Sequence, residues 1–348
     1  MAYNGRLTSL SHGGGCGCKI APAVLSKILQ FSPFVTFAPQ LLAGNQNNED
    51  AAVYQINADQ AIVATTDFFM PIVDDPFDFG RIAASNAISD IYAMGAKPLF
   101  ALAILGMPIN VLPIETIQRI SAGGQGVCAA AGIPIAGGHS IDSVEPIYGL
   151  IVIGLVDPKK FKRNKTSKLG DSIILSKPIG VGILSAAFKQ DKISEKAYAK
   201  LIDYTTQLNT PGMHFVNIEE VHAMTDVTGF GLAGHLLEMA QGANLQAQIN
   251  FSQIPVIEEA LEYVQNNIVT GASGRNWQGY ENQVTAEGEL AQWQKNLLSD
   301  PQTSGGLLIS CAPEVESEVL KYLHQGGFIS AQKIGQFAQG QGIKIDAA

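Results

Sequence analysis

Short apolar runs alternate with longer stretches that carry apolar residues at helical spacing. Apolar runs of strand length predict buried strands, and they lie at residues 61–66, 99–105 and 148–156. Small and apolar residues at helical spacing predict helices, at residues 21–29, 80–95 and 114–131. Strands and helices therefore alternate through much of the first half of the chain, as in α/β or α+β enzymes.

A basic segment at residues 157–165 interrupts this pattern and predicts a linker whose charges are solvated. Further apolar runs follow it, including a turn near Asp300 that leads into a strand. We therefore predict one domain at 46–157 and a second at 158–348. A glycine-rich segment and a flanking helix, residues 1–45, precede them.

Composition, net charge and cysteine count limit the classes of protein to which this chain can belong. The chain has 348 residues, of which 46% are hydrophobic and 15% charged, which is typical of a compact enzyme of about two domains. A net charge of -9 argues against nucleic acid as a partner. The four cysteines match neither a zinc site nor a disulfide scaffold.

The sequence is also informative about segments that would direct the protein to a membrane or out of the cell. The longest apolar stretch, 99–112, is interrupted by Pro108 and Asn110, so no membrane span is predicted. The first residues lack the apolar core of a signal peptide, and we expect a cytoplasmic protein.

The segment 11–19, with sequence SHGGGCGCK, is the first candidate for chemistry. Its glycines allow close approach to a ligand, and Lys19 favours the thiolate form of a neighbouring cysteine, which is its nucleophilic form. Cys16 and Cys18 are therefore candidate reactive thiols. The alternative is an ordinary flexible N-terminus with two inert cysteines.

Dispersed aspartates are the second candidate, and they are Asp50, Asp67, Asp90 and Asp226. Asp67 is expected at a strand end, and Asp90 on an apolar helix, unless it caps that helix or faces solvent. Magnesium prefers oxygen ligands and bridges carboxylates to substrate phosphates. With a turn predicted at 136–142 that is suited to phosphate or sugar, this pattern indicates metal-assisted phosphoryl transfer, although His139 could equally be a structural turn residue.

Two common nucleotide motifs are excluded. The glycines at 229, 231 and 234 match the dinucleotide spacing, but the polar residues before them predict that no buried strand precedes the motif. The N-terminal loop is not a Walker A sequence, because Ile20 follows the lysine where serine or threonine is required.

Seven stretches together resemble the selenophosphate synthetase family. They are 11–19, Asp50-Ala-Ala-Val-Tyr54, 65–71, Asn86-Ala-Ile-Ser-Asp90, 137–142, 224–231 and 300–306, and they run in the family's order over nearly the whole chain. The Cys-Gly-Cys-Lys loop is the most specific of them, because relatives of the same fold lack it. The resemblance implies a selenide, water dikinase, a phosphotransferase that makes selenophosphate, AMP and phosphate from ATP, selenide and water.

The resemblance also implies a fold and an assembly. The expected fold is α+β, with two domains like those of aminoimidazole ribonucleotide synthetase. The N-terminal domain would bind ATP and dimerise, so that its sheet forms a barrel across a homodimer. A C-terminal α/β sandwich would lie behind it. A selenium-delivery protein stays open as a further partner, and neither nucleic acid nor a membrane is expected.

Roles are carried over position by position. The resemblance makes Cys16 and Lys19 catalytic and makes Asp50, Asp90 and Asp226 ligands of Mg²⁺. The ATP site would be lined by Lys19, Asn47, Asn48, Glu49, Asp67, Asp90, Gly138, His139 and Ser140, the last three from the partner subunit. Position 49 is often aspartate in the family, so the longer Glu49 puts direct metal contact there in doubt. Two alternatives are a small-molecule kinase of the same superfamily and a non-catalytic selenium-binding carrier.

Overall fold

The computed structural model describes residues 3–19, 28, 38–44 and 49–347. Apart from Ile28, the helix predicted at 21–29 lies outside the described residues. The predicted ATP-site residues Asn47 and Asn48 also lie outside them.

The N-terminal sheet has six strands in the order β1-β2-β3-β6-β4-β5. Its neighbours are antiparallel except for β4 and β5, which are parallel. All three predicted strands are confirmed in it. The strands are β1 (Leu41–Ala43), β2 (Ala52–Gln55), β3 (Ala61–Phe69), β4 (Lys97–Met107), β5 (Ile135–Asp142) and β6 (Ile147–Val156).

Helix α1 (Pro76–Ala93) packs on this sheet and α2 (Ile114–Ala130) packs against α1, and both helices were predicted. Helix α1 begins with Pro76 after Asp75, whose side chain accepts a hydrogen bond from the Asp78 amide. It is buried on nearly all sides because it also packs on the C-terminal domain, where Arg81 donates to Thr206 Oγ1 at 3.0 Å. Helix α1 therefore joins the two domains.

The C-terminal sheet has seven strands in the order β10-β13-β9-β12-β7-β11-β8. The strands are β7 (Ser172–Leu175), β8 (Val221–Asp226), β9 (Gln246–Asn250), β10 (Val284–Glu287), β11 (Leu307–Cys311), β12 (Gln332–Ala338) and β13 (Gly342–Asp346). The helices are α3 (Val181–Lys189), α4 (Glu195–Thr206), α5 (Gly212–Phe215), α6 (Gly231–Ala243), α7 (Glu258–Gln265), α8 (Gly271–Tyr280), α9 (Gln292–Leu298) and α10 (Glu316–Gln325). Two sheets with their own helices confirm the α+β class. The barrel across a dimer stays a prediction.

Two local predictions in the N-terminal sheet were wrong. Strand β3 continues through Phe69, so Asp67 lies inside the strand, paired with Leu150, and not at its end. Residues 136–142 form most of strand β5 and not a turn. The glycine that suggested a turn is needed for strand packing, because a Cβ on Gly138 would lie 2.1 Å from the Ala103 carbonyl oxygen.

The strand before the glycine motif at 229–234 is present, contrary to the sequence prediction. Strand β8 is buried despite its polar residues, because His222 is satisfied by Asp171 at 2.9 Å. It lies at the end of the sheet and runs antiparallel to β11. A dinucleotide fold requires a parallel βαβ unit, so the motif still does not form one.

The basic linker is less solvated than predicted. Lys162 is buried and donates to the carbonyl oxygens of Ile218 and Val221 at 2.8 and 2.6 Å. Arg163 forms an ion pair with Glu49 at 2.7 Å. The linker cations therefore hold the segment against both domains. None of the helices in the described part of the chain is both long and apolar enough to cross a bilayer.

Candidate active site

The glycine-rich segment folds as one 3₁₀ turn, Gly15–Cys18, pressed between the two domains. The Gly15 amide donates to the Met70 carbonyl at 3.0 Å, and the Cys16 amide donates to Thr303 Oγ1 at 3.1 Å. Gly15 has a φ of +55°, and a Cβ there would lie 2.5 Å from Thr303 Oγ1. Glycine at 15 is therefore required by both conformation and contact.

The Cys16 thiol is buried and donates to Asn86 Oδ1 at 3.1 Å. Burial and the neighbouring Asp67 carboxylate raise the pKa of this thiol, and the ammonium of Lys19 only partly opposes them. Lys19 favours the thiolate as expected, but burial and the Asp67 carboxylate outweigh its effect in this arrangement. In it, Cys16 is a protonated thiol held by a hydrogen bond.

Lys19 and Asp67 form the charged pair beside this thiol, with Lys19 Nζ 3.5 Å from Asp67 Oδ2. Burial lowers the pKa of Lys19, but its anionic neighbours, Asp67 foremost, more than offset this and raise it. The lysine therefore stays cationic and can receive phosphate oxygens.

Asn86 links these groups, although the sequence interpretation assigned it no role. It is fully buried on α1, its Oδ1 also accepts from the Ser304 amide at 2.7 Å, and its Nδ2 donates to Asp67 Oδ2 at 2.5 Å. Its signal was the four-residue spacing from Asp90, which places both side chains on one helix face. Thr303 carried no such signal, because its contact with the loop joins residues 287 apart.

Three further carboxylates are held by hydroxyl groups from neighbouring strands and from α1. Asp50, just before β2, accepts from Thr225 Oγ1 at 2.7 Å. The other two carboxylates lie on α1 and at the end of β8. Asp90 accepts a hydrogen bond from the Thr65 hydroxyl, and Asp226 accepts one from the Ser89 hydroxyl.

These three carboxylates disfavour one another's charge. Burial raises the pKa of each of them. Repulsion from Asp226 and Asp90 raises the pKa of Asp50 further, and repulsion from Asp226 and Asp67 does so for Asp90. The structure therefore gathers Asp50, Asp67, Asp90 and Asp226 into one acidic group, as the dispersed aspartates suggested, with Asp67 and Asp226 buried and Asp50 and Asp90 half-buried.

The acidic group fits a divalent cation that is shared with a ligand. In the described residues, no group of three or more His, Cys, Asp or Glu side chains could hold an ion by itself. Asp50 Oδ2, however, is buried and has no hydrogen-bond partner among them. Such an oxygen, beside other buried carboxylates, is costly unless a cation compensates it. Magnesium bound by a few carboxylates and by phosphate oxygens would do so.

Other predicted site residues lie elsewhere. The Glu49 side chain is fully buried against Arg163 and Lys165, at 2.7 and 3.9 Å, and does not join the acidic group. Gly138, His139 and Ser140 lie on β5, separated from β3 by β6 and β4. Within one chain the structure therefore does not bring these residues to Asp67.

Sequence comparison finds close relatives of this chain. A selenide, water dikinase from Dechloromonas aromatica (strain RCB) is 61% identical over 98% of this chain and 98% of its own length. One from Paraburkholderia xenovorans (strain LB400) is 58% identical over 97% of this chain and 95% of its own length.

Comparisons with domain families and with solved structures identify the fold. Residues 48–156 match the AIR synthase related protein N-terminal domain, and residues 168–347 match the C-terminal domain. Thiamine-monophosphate kinase from Stenotrophomonas maltophilia K279a has a similar fold, with a TM-score of 0.65, 20% identity and coverage of 95% and 98% of the two chains. The chain therefore belongs to the selenide, water dikinase family and has the two-domain fold of the AIR synthase-related proteins.

Proposed function

We propose that this protein makes selenophosphate from ATP, selenide and water, and releases AMP and phosphate. The names of its relatives support this reaction. The observation that carries the proposal is the meeting of a thiol, a lysine and an acidic group at one point between the domains. Two successive phosphoanhydride cleavages concentrate negative charge, and such a site can bind and position it.

ATP would enter through a cavity of about 330 Å³ lined by Cys16, Lys19, Asp67, Phe68 and Met70. Lys19 would bind the phosphates as a fixed positive charge. Asp67 and Asp90 would line the end of the ATP site that holds the phosphates. Asn47 and Asn48 would provide further contacts to ATP. Glu49 would contribute only if its ion pair with Arg163 opened.

The acidic group would hold Mg²⁺ through Asp50, Asp90 and Asp226, and the ion would neutralise phosphate charge there. The protein's own side chains orient the reactants and exclude water. Lys19 orients the phosphates, and Asn86 fixes Cys16 beside Asp67. The glycine-rich turn covers the reacting atoms and excludes water.

The second subunit completes the site in this proposal. Neighbouring strands lie about 4.8 Å apart, so β5 lies roughly 14 Å from β3 in the same sheet. Gly138, His139 and Ser140 are solvent-exposed on this edge strand. A homodimer that joins two such sheets in a barrel would bring them to the partner's ATP, with residues 46–157 as the dimerising domain and 158–348 behind it.

The proposed reaction also indicates the cellular compartment in which the protein works. Selenide and a free Cys16 thiol both require reducing conditions, which the cytoplasm provides. A selenium-delivery protein is a further partner expected of this function.

Phosphorus NMR of ATP, Mg²⁺ and selenide with the enzyme under anaerobic conditions tests the reaction. We expect a selenophosphate signal together with AMP and phosphate in equal amounts. ADP as the sole nucleotide product would indicate a small-molecule kinase instead. Selenium binding that is lost in Cys16→Ala, without ATP turnover in the unmodified protein, would indicate a carrier.

A further inference from the structure

A second cavity lies beside Cys16 on the side of the C-terminal domain. It has a volume of about 290 Å³ and lies between the glycine-rich turn and helices α6 and α8. Cys16 and Lys19 line both this cavity and the one that contains Asp67, so the loop separates two chambers. We call the second one the rear chamber.

The charges of the rear chamber favour an anion. Lys19 and Arg275 line it, and Arg275 has no ion pair within the described residues. Its carboxylate, Glu238, contacts His235 Nδ1 at 3.1 Å. The remaining polar side chains include the neutral amides, of which Asn276 donates to two backbone carbonyls and Gln241 to Gln283. Lys19 is paired with Asp67 and Glu238 contacts His235, so Arg275 brings a positive charge to the chamber that no ion pair in the described residues offsets.

The walls of the rear chamber are apolar and aromatic. Phe230, Leu237 and Tyr280 line it, and the Tyr280 hydroxyl is directed to the Phe230 carbonyl at 3.1 Å. Hard oxyanions lose strong hydration in such surroundings, whereas large, polarisable anions lose much less. Cations set in apolar walls therefore suit a soft, weakly hydrated anion.

We propose that the rear chamber is the entrance and holding site for hydroselenide, HSe⁻. The inference rests on the proposed function, which makes selenide a substrate. ATP would then approach the loop from the Asp67 side and HSe⁻ from the α8 side, and the two would meet at Cys16 and Lys19. Lys19 and Arg275 would raise the local concentration of the anion, as charged, low-dielectric clefts do.

Helix α8 offers a matched pair of variants. An added Cβ at Gly279 or at Gly274 would meet no atom within 4 Å, so both positions accept a side chain. Gly279 lines the rear chamber and Gly274 does not. Gly279→Trp therefore fills the chamber, whereas Gly274→Trp adds the same ring to the same helix outside it.

We expect Gly279→Trp to raise the KM for selenide at least about ten-fold, the lower end of the enrichment that such clefts provide. The KM for ATP should stay unchanged, and Gly274→Trp should match the unmodified enzyme in both constants. If Gly279→Trp does not fold, Arg275→Met tests the charge alone and should raise the KM for selenide several-fold. Equal KM values for selenide in the two tryptophan variants, or no effect of Arg275→Met, would overturn the proposal.

Iodide provides a test that does not depend on activity. It is a large, soft anion, and crystals soaked in iodide should show anomalous density between Arg275 and Cys16, absent in Gly279→Trp. Iodide density only outside the chamber would count against the proposal. If the unmodified enzyme made no selenophosphate, the proposed function would fail first, and bound iodide would then indicate an anion site of another reaction.

Discussion

At the scale of single residues, Lys177 supports the site without reaching it. It is fully buried, and its ammonium donates to the backbone carbonyls of Tyr204, Gln207 and Ser304 at 3.3, 2.6 and 2.9 Å. The Ser304 amide in turn donates to Asn86, which holds the Cys16 thiol. Lys177 is therefore a positioning residue for the turn that carries Ser304.

Burial lowers the pKa of Lys177 to about 7, and the distant Asp226 only partly opposes this. In the unfolded chain a lysine keeps its proton up to about pH 10.4. Between these values the unfolded state binds more protons, so stability rises with pH, and below about pH 7 the full cost of the buried charge is present.

We therefore expect the stability difference between the unmodified protein and Lys177→Met to shift in favour of the unmodified protein as pH rises from about 7 to 9. The shift should approach, at most, about 1.4 kcal/mol per pH unit. Urea unfolding of both proteins at each pH measures it, with Lys189→Met at an exposed position as the control for losing one lysine. A difference that is independent of pH would contradict this.

At the scale of elements, the sequence predicted those whose pattern is local and missed those that depend on residues distant in sequence. Helices α1 and α2 were predicted correctly because their apolar residues repeat over many turns. Strand β5 was missed because Gly137 and Gly138 read locally as a turn, whereas the close approach of Gly138 to Ala103 depends on a strand distant in sequence. Strand β8 was missed because the partner of His222, Asp171, is also distant.

The close packing of α1 and α2 can be tested with two substitutions in α2. On α2, a Cβ at Gly123 would lie 2.0 Å from the Phe77 carbonyl oxygen, whereas at Gly126 the nearest atom is 4.0 Å away. Gly123→Ala should destabilise by about 1–3 kcal/mol through overpacking. Gly126→Ala should be neutral or stabilise by up to about 1 kcal/mol, because alanine is the better helix former.

Chemical denaturation of both alanine variants measures the contrast, and each serves as the other's control. Equal effects at positions 123 and 126 would mean that α1 and α2 do not pack this closely. The outcome matters for the site because α1 carries Asn86 and Asp90.

At the scale of the whole molecule, the sequence identified the acidic group but not what holds it together. Asp50, Asp67, Asp90 and Asp226 stood out as carboxylates beside apolar elements. Their partners Thr65, Ser89 and Thr225 are common polar residues, and Ser89 and Thr225 reach Asp226 and Asp50 only where the two domains pack together. In the proposed site β5 would contribute from a second chain, since in one chain His139 lies three strands from Asp67.

Subunit mixing tests whether the site is shared. Asp67→Asn damages the phosphate side of a site, and His139→Ala removes a group that the proposed dimer supplies from the partner. Each variant alone should lose ATP turnover. In a mixed dimer one site carries both changes and the other carries neither, so random mixing should restore about one quarter of the unmodified activity.

The control is a mixture of Asp67→Asn with Asp90→Asn, whose changes fall on the same side of each site. In that mixture every site keeps one lesion, and no activity should return. Restored turnover in the first mixture but not in the second can arise only if each site takes residues from two chains. If neither mixture regains activity although subunits demonstrably exchange, His139 acts within its own chain, and β5 must then be excluded from the partner's ATP site.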